Sequence, residues 1–201
     1  MTRENAAAPA HLLYLHGFRS SPRSFKALRL QAWLASHRPQ VHWHCPQLPP
    51  SPREAMALVH ALTATWAPGG FAVVGSSLGG FYATVLAEAS GCRAVLINPA
   101  IDPARDLAAH VGVQTAYHDP TQRFDFRAEF VDELRAMLPA RITQPGRYLA
   151  VIAKGDEVLD WREMTARYQG CPQRLIEGSD HGLSDFDDHL PAILHFLNLH
   201  P

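Results

Sequence analysis

Long hydrophobic runs are missing from this chain of 201 residues. No apolar stretch approaches the ~20 residues that a membrane-spanning helix needs. An excess of one charge is missing too. Lys plus Arg number 18 against 19 Asp plus Glu, for a formal net charge of -1. No basic field draws nucleic acid, and no polybasic cluster marks a membrane surface. Cysteine is sparse. Cys45, Cys92 and Cys171 are odd in number and form no C-x-x-C, so they read as reduced thiols. Met1 to Ala10 lacks the charged start and apolar centre of a secretory signal. These absences predict a cytoplasmic protein whose partner is a small molecule, neither nucleic acid nor membrane. Oligomeric state is not written in them.

Metal and nucleotide signatures are equally scarce. His42 and His44 alternate along a strand-like run and would share one face. No H-E-x-x-H or further Cys/His pair accompanies them, so they read as ordinary strand residues and no metal is expected. The glycine-rich segment Gly75-Ser76-Ser77-Leu78-Gly79 lacks the lysine of a phosphate loop. It has serine where a dinucleotide fingerprint needs its second glycine.

That segment is instead G-x-S-x-G. It follows the apolar run Phe71-Ala72-Val73-Val74 and precedes the helix-compatible Phe81 to Glu88. Strand, sharp turn and helix with serine at the apex form the context of a nucleophile elbow. Gly75 and Gly79, two before and two after Ser77, let strand and helix approach closely.

The length suits one compact domain with a substantial core. Candidate strands are His11 to His16, Val41 to Cys45, Phe71 to Gly75, Ala94 to Asn98, Arg147 to Ala153 and Arg174 to Glu177. Helical patterns separate most of them. Ser21-Pro22 and Ser51-Pro52 look like an N-cap followed by proline at the first helical position. A final helix spans Phe186 to Leu199, with Pro191 near its start. Short apolar strands alternating with helices predict an α/β fold with about six mostly parallel strands and helices on both faces.

Between Pro99 and Gly146 no strong strand is evident. Helical segments at Pro103 to His110 and Phe130 to Leu138 flank an irregular stretch, Val111 to Arg127. An excursion this long is usually functional. We read residues 101–146 as a small cap over the sheet's C-terminal edge, against the alternative of a connection whose aromatics plug a groove.

Ligand sites in open parallel sheets gather outside the carboxyl ends of the strands. Those ends carry His16-Gly17-Phe18, Ser77, Asp102, Asp156 and His181. A serine hydroxyl needs a base to take its proton, and the base needs a carboxylate to hold its tautomer. His181, in a turn of small polar residues, is the expected base. Asp156 directly follows a strand and is the expected acid, with Asp160 and Asp102 as alternatives. Asp180 reads as turn chemistry. His189, His195 and His200 read as surface or interface groups. The backbone amides of Leu78 and Phe18 are the expected oxyanion donors, aimed by the elbow helix and by Gly17. His16 either braces that loop or is a buried, satisfied histidine.

The order Ser, Asp, His is that of α/β-hydrolases, and the chain resembles the small bacterial YqiA-like esterases more narrowly. The matching blocks are Tyr14-Leu15-His16-Gly17-Phe18 with Ser20-Ser21-Pro22, Cys45 to Pro50, Gly75 to Ala83, Asn98-Pro99-Ala100, Gly155 to Asp160, and Glu177-Gly178 with His181. The resemblance fades across Asp102 to Gln144. It implies an α/β-hydrolase fold and hydrolysis of carboxylic esters or acyl thioesters. The triad would be Ser77, Asp156 and His181, with no cofactor. The expectation is a serine esterase working through an acyl-enzyme. The alternatives are a thioesterase or acyltransferase on the same triad, or a non-catalytic binding protein with the same fold.

Overall fold

Alternation along the strands decides which way each side chain points. In the computed structural model, which describes residues 7–67 and 69–200, six strands form one sheet. They are β1 (His11–Leu15), β2 (His42–His44), β3 (Phe71–Ser76), β4 (Arg93–Ile97), β7 (Tyr148–Ala153) and β8 (Gln173–Ile176). Their order across the sheet is β2-β1-β3-β4-β7-β8, and every pairing is parallel. Leu13, Leu15, Val73, Leu96, Ala150 and Ile152 face one buried cluster, and Leu12, Tyr14, Val74, Val95, Ile97 and Val151 face the other. This period of two, apolar on both sides, is what a sheet covered on both faces demands. Truncating such a buried leucine costs ~2–5 kcal/mol. Of the N-terminal stretch read for a secretory signal, Met1 to Ala6 lies outside the described residues.

Helices α1 (Phe25–His37) and α7 (Phe186–Phe196) cover one face. Helices α2 (Pro52–Thr63), α3 (Leu78–Ser90), α5 (Ala128–Met137) and α6 (Trp161–Arg167) cover the other. Ser51 caps α2 as expected, accepting from the Glu54 amide at 3.2 Å ahead of Pro52. Ser21 does not cap α1. Its hydroxyl accepts from the Arg23 amide at 3.1 Å in a preceding turn, so the helix begins a few residues later.

The stretch expected to be irregular contains a hairpin. After α4 (Pro103–Leu107) and a short 3₁₀ turn come the antiparallel strands β5 (Gly112–Thr115) and β6 (Arg123–Phe126). The hairpin docks on the loop after β1. Arg19 Nε donates to the Thr115 carbonyl at 2.6 Å, and the Tyr117 amide donates to the Arg19 carbonyl at 2.8 Å. Glu133 of α5 accepts from the Ser51 hydroxyl at 2.7 Å, tying α5 to α2.

The register sets up everything that follows. Leu15 lies opposite Gly75, Ile97 opposite Val151, and Ala153 opposite Ile176. The loops beginning at His16, Ser77, Asn98, Lys154 and Glu177 therefore leave the sheet along one edge. Among the described residues, no helix is long and apolar enough to cross a membrane.

Candidate active site

Ser77 sits between β3 and α3 with φ 56° and ψ -122°, a conformation that costs a non-glycine residue ~1–3 kcal/mol. The surroundings hold it there. Its amide donates to the Ile97 carbonyl at 2.9 Å, and its carbonyl accepts from the Gly80 and Ala100 amides at 2.9 and 3.0 Å. The crossing of strand and helix is as close as atoms allow. A Cβ on Gly79 would lie 1.9 Å from the Leu15 carbonyl oxygen, and one on Gly75 would lie 2.1 Å from the Gly79 oxygen. Nothing larger than hydrogen fits at either place.

His181 Nε2 is 3.1 Å from Ser77 Oγ, and its Nδ1 is 2.8 Å from Asp156 Oδ2. The Asp156 side chain is fully buried. Its other oxygen accepts from the Val158 and Leu159 amides, each at 2.8 Å. With an ionised carboxylate on Nδ1, the imidazole carries its proton there. Nε2 is then left to accept from the serine hydroxyl.

The other carboxylates are occupied elsewhere. Asp160 caps α6 through the Arg162 amide at 2.9 Å, and Asp102 caps α4 through the Arg105 amide at 3.1 Å. Asp180 accepts from the Ser184 amide at 2.9 Å, the turn role expected of it. Asp156 alone of these candidates meets His181.

The two amides expected as oxyanion donors are unengaged: neither Phe18 nor Leu78 donates its N–H to an acceptor among the described residues. Leu78 is the first residue of α3, where amides have no intrahelical partner and the helix dipole favours negative charge. Gly17 leaves the space beside the serine open; a Cβ there would lie 3.1 Å from Ser77 Cβ. His16 does both things expected of it. It is buried, its Nδ1–H donates to the Gly17 carbonyl at 3.0 Å, and its Nε2 accepts from the Leu48 amide at 3.1 Å. Burial pushes its pKa down despite the Gly17 carbonyl, which favours the neutral ring seen in this bonding pattern.

Sequence reasoning missed the tethers on the histidine loop. Asn98 is fully buried. Its amide nitrogen donates to the Asp180 and His181 carbonyls at 3.0 and 3.1 Å, and its oxygen accepts from the Ala153 amide at 2.8 Å. Glu157 accepts from the His181 amide at 3.0 Å. Lys26, on the buried face of α1, donates to the Gly182 carbonyl. Burial pushes its pKa down to about 8, against the pull of Asp180 and Asp156. His189, read as a surface or interface group, is buried instead. Arg174 donates to its Nδ1, and its Nε2 donates to Asp185 at 3.1 Å. A polar group whose hydrogen bonds are met can face inward where an unpartnered one cannot.

His11, His42 and His44 gather around the start of β1 and along β2. His11 stacks on His42 and on Trp66, and its ring nitrogen is 3.1 Å from His44 Nε2. Among the described residues no group of three His, Cys, Asp or Glu has the geometry to hold a metal ion.

Two cavities, of about 400 and 780 Å³, meet at Gly17, Phe18, Ser20 and Leu78. The larger contains Ser77 and His181; the smaller runs under the hairpin.

Residues 11–198 match the model described as Uncharacterised protein family (UPF0227), in line with the YqiA-like resemblance of the sequence blocks. Among solved structures, mouse alpha/beta hydrolase domain-containing protein 10 is similar at 18% identity and TM-score 0.70, with 94% of this chain and 89% of that one covered. A structure from the metagenome-derived lipolytic enzymes LipS and LipT is similar at 17% identity and TM-score 0.63, covering 97% and 96%. Est1E from Butyrivibrio proteoclasticus, with ferulic acid bound, is similar at 14% identity and TM-score 0.62, covering 96% and 87%. At such identities the likeness is one of fold: this chain has the α/β-hydrolase fold.

Proposed function

We propose, from the premise that the chain belongs to the UPF0227 family, that it is a serine esterase hydrolysing carboxylic esters or acyl thioesters. The observation that carries this reading is the unbroken relay from Ser77 Oγ through His181 to the buried Asp156 carboxylate, at 3.1 and 2.8 Å. A binding protein has no physical need of that arrangement beside two unengaged amides.

In the reaction, Ser77 Oγ attacks the carbonyl carbon while His181 Nε2 takes its proton. The carbonyl oxygen becomes an oxyanion and accepts from the Phe18 and Leu78 amides. The imidazolium, stabilised by Asp156, gives its proton to the leaving alcohol or thiol as that bond breaks. Water then attacks the acyl-enzyme as His181 accepts its proton, and His181 passes that proton to Ser77 Oγ as the acyl–oxygen bond breaks and the acid departs. No cofactor enters these steps. Residues 101–146 form the cap over the site.

The family resemblance and the hydrolase-fold neighbours support this reading, as do the thiols. Burial pushes Cys45 up to about 12 and Cys92 and Cys171 up to about 11, so none competes as a nucleophile. Free thiols also suit a reducing cytoplasm.

The direct test is Ser77→Ala. It should abolish turnover of a short p-nitrophenyl ester and labelling by a fluorophosphonate, with the far-UV CD spectrum unchanged. Retained turnover removes the mechanism. A thioesterase or acyltransferase on the same residues would show itself by faster turnover of thioesters, or by product formed with an added alcohol.

A further inference from the structure

The smaller cavity has an uneven lining. Its floor is apolar and buried, with Leu48, Leu78 and Tyr82. Its lining also carries Arg19, His118 and Arg123, and among the described residues no aspartate or glutamate lines it. His118 and Arg123 are exposed. Among the described residues, neither arginine has a carboxylate within ion-pair distance.

Arg19 is also held in place. Its Nε is spent on the Thr115 carbonyl at 2.6 Å, and its guanidinium lies 4.3 Å from the centre of the Tyr117 ring. Among the described residues nothing accepts from its two terminal nitrogens, which remain for another acceptor. A fixed, unpaired guanidinium fork at the rim of an apolar slot suits a carboxylate or phosphate.

The chemistry says which half of an ester lies there. The imidazole that takes the Ser77 proton must return it to the leaving atom, so the leaving group lies on the His181 side. That side is the larger cavity, which contains His181; the smaller one touches neither Ser77 nor His181. The acyl chain therefore runs the other way, past the Phe18 and Leu78 amides and under the hairpin.

We propose that the smaller cavity holds the acyl half of the substrate, and that Arg19 and Arg123 at its rim bind an anionic group carried by that half. The substrate class is then a monoester or monothioester of a dicarboxylic acid, or an acyl chain ending in phosphate. This assignment rests on the esterase reading above and deepens it.

The test compares p-nitrophenyl alkanoates with p-nitrophenyl monoesters of dicarboxylic acids of matching length, from glutarate to suberate. Rates are taken over the Ser77→Ala background, which removes self-cleavage by the free carboxylate. At one or more lengths the carboxylated ester should have a kcat/KM roughly tenfold or more above its neutral counterpart. The advantage should shrink at high salt. Arg123→Gln should reduce the ratio of the two within the same protein, and Arg123→Glu should reduce it further. A phosphate-terminated alkanoate tested alongside tells which anion is preferred. Neutral esters favoured at every length, or a ratio that Arg123→Glu leaves alone, overturns the assignment. Turnover of neither class, with Ser77 unlabelled by a fluorophosphonate, removes the esterase reading and this assignment with it.

Discussion

Asn98 donates from a single amide nitrogen to the backbone carbonyls of Asp180 and His181, at 3.0 and 3.1 Å. The histidine loop thus hangs from the end of β4, the strand that also receives the Ser77 amide through the Ile97 carbonyl. Ser77 and the His181 loop are located by adjacent residues of one strand end.

Asn98→Ala removes both donors and the acceptor for the Ala153 amide. Losing a buried hydrogen-bonding partner costs ~1–3 kcal/mol per group left unpaired. We expect a fall in thermal stability and a kcat lowered by about tenfold or more, with KM changed less, because the imidazole loses its aim. Steady-state kinetics at a temperature where the variant stays folded by CD checks this. An unchanged kcat would mean that the other tethers hold the loop unaided.

Asp156→Asn and Asp160→Ala should separate completely. The first leaves the fold intact but should lower kcat by about 10⁴-fold, the scale seen when such a carboxylate is neutralised. The second loses an N-cap worth ~1 kcal/mol and should leave kcat within about twofold. Turnover and melting temperature of both, measured side by side, give the answer.

Gly79→Ala reverses the usual sign of a helix substitution. Alanine is ordinarily better than glycine inside a helix by ~1 kcal/mol. Here its Cβ would lie 1.9 Å from the Leu15 carbonyl oxygen, which is backbone and cannot step aside. We expect little soluble protein, or a large drop in melting temperature, whereas an exposed glycine such as Gly146 should accept alanine quietly.

His16 makes stability depend on pH. Its folded pKa lies below the ordinary 6.5 because of burial. The unfolded chain therefore binds a proton that the folded one refuses. The contribution is fully present above about 6.5 and is lost as pH falls through the lowered folded value. Protonation would also remove the acceptor for the Leu48 amide. Melting temperatures of the wild type and His16→Gln should approach one another between neutral pH and pH 5, the wild type losing more.

Much of this architecture is legible in the residues alone. The six strands announce themselves as apolar runs, and the G-x-S-x-G segment stands where only a strand-to-helix turn could put it. His181 and the candidate carboxylates stand out as polar residues in the loops after β8 and β7. The carboxylate that meets His181 stays ambiguous in the sequence because Asp156 and Asp160 share one loop, and spacing does not say which of the two turns inward. The hairpin is hidden by its length: β5 and β6 have four residues each. Yet Arg123-Phe124-Asp125-Phe126 does alternate, and that signal is present. Asn98 carries a signal too. An asparagine directly after the buried run Ala94 to Ile97 must find partners for three hydrogen-bonding atoms or groups. Lys26 and His189 are unreadable, since their burial depends on the Gly182 carbonyl and on the Arg174 and Asp185 side chains, which spacing does not bring to them.

The Phe18 ring meets Phe124 and Phe126 edge-on, with centroids 5.9 and 5.1 Å away, while its amide is one of the two proposed oxyanion donors. On the esterase reading, discrimination and speed share a mounting. Grafting a relative's hairpin onto this scaffold would retune both quantities at once, and a variant selected only for a new acyl preference would carry an altered turnover as an unasked-for companion.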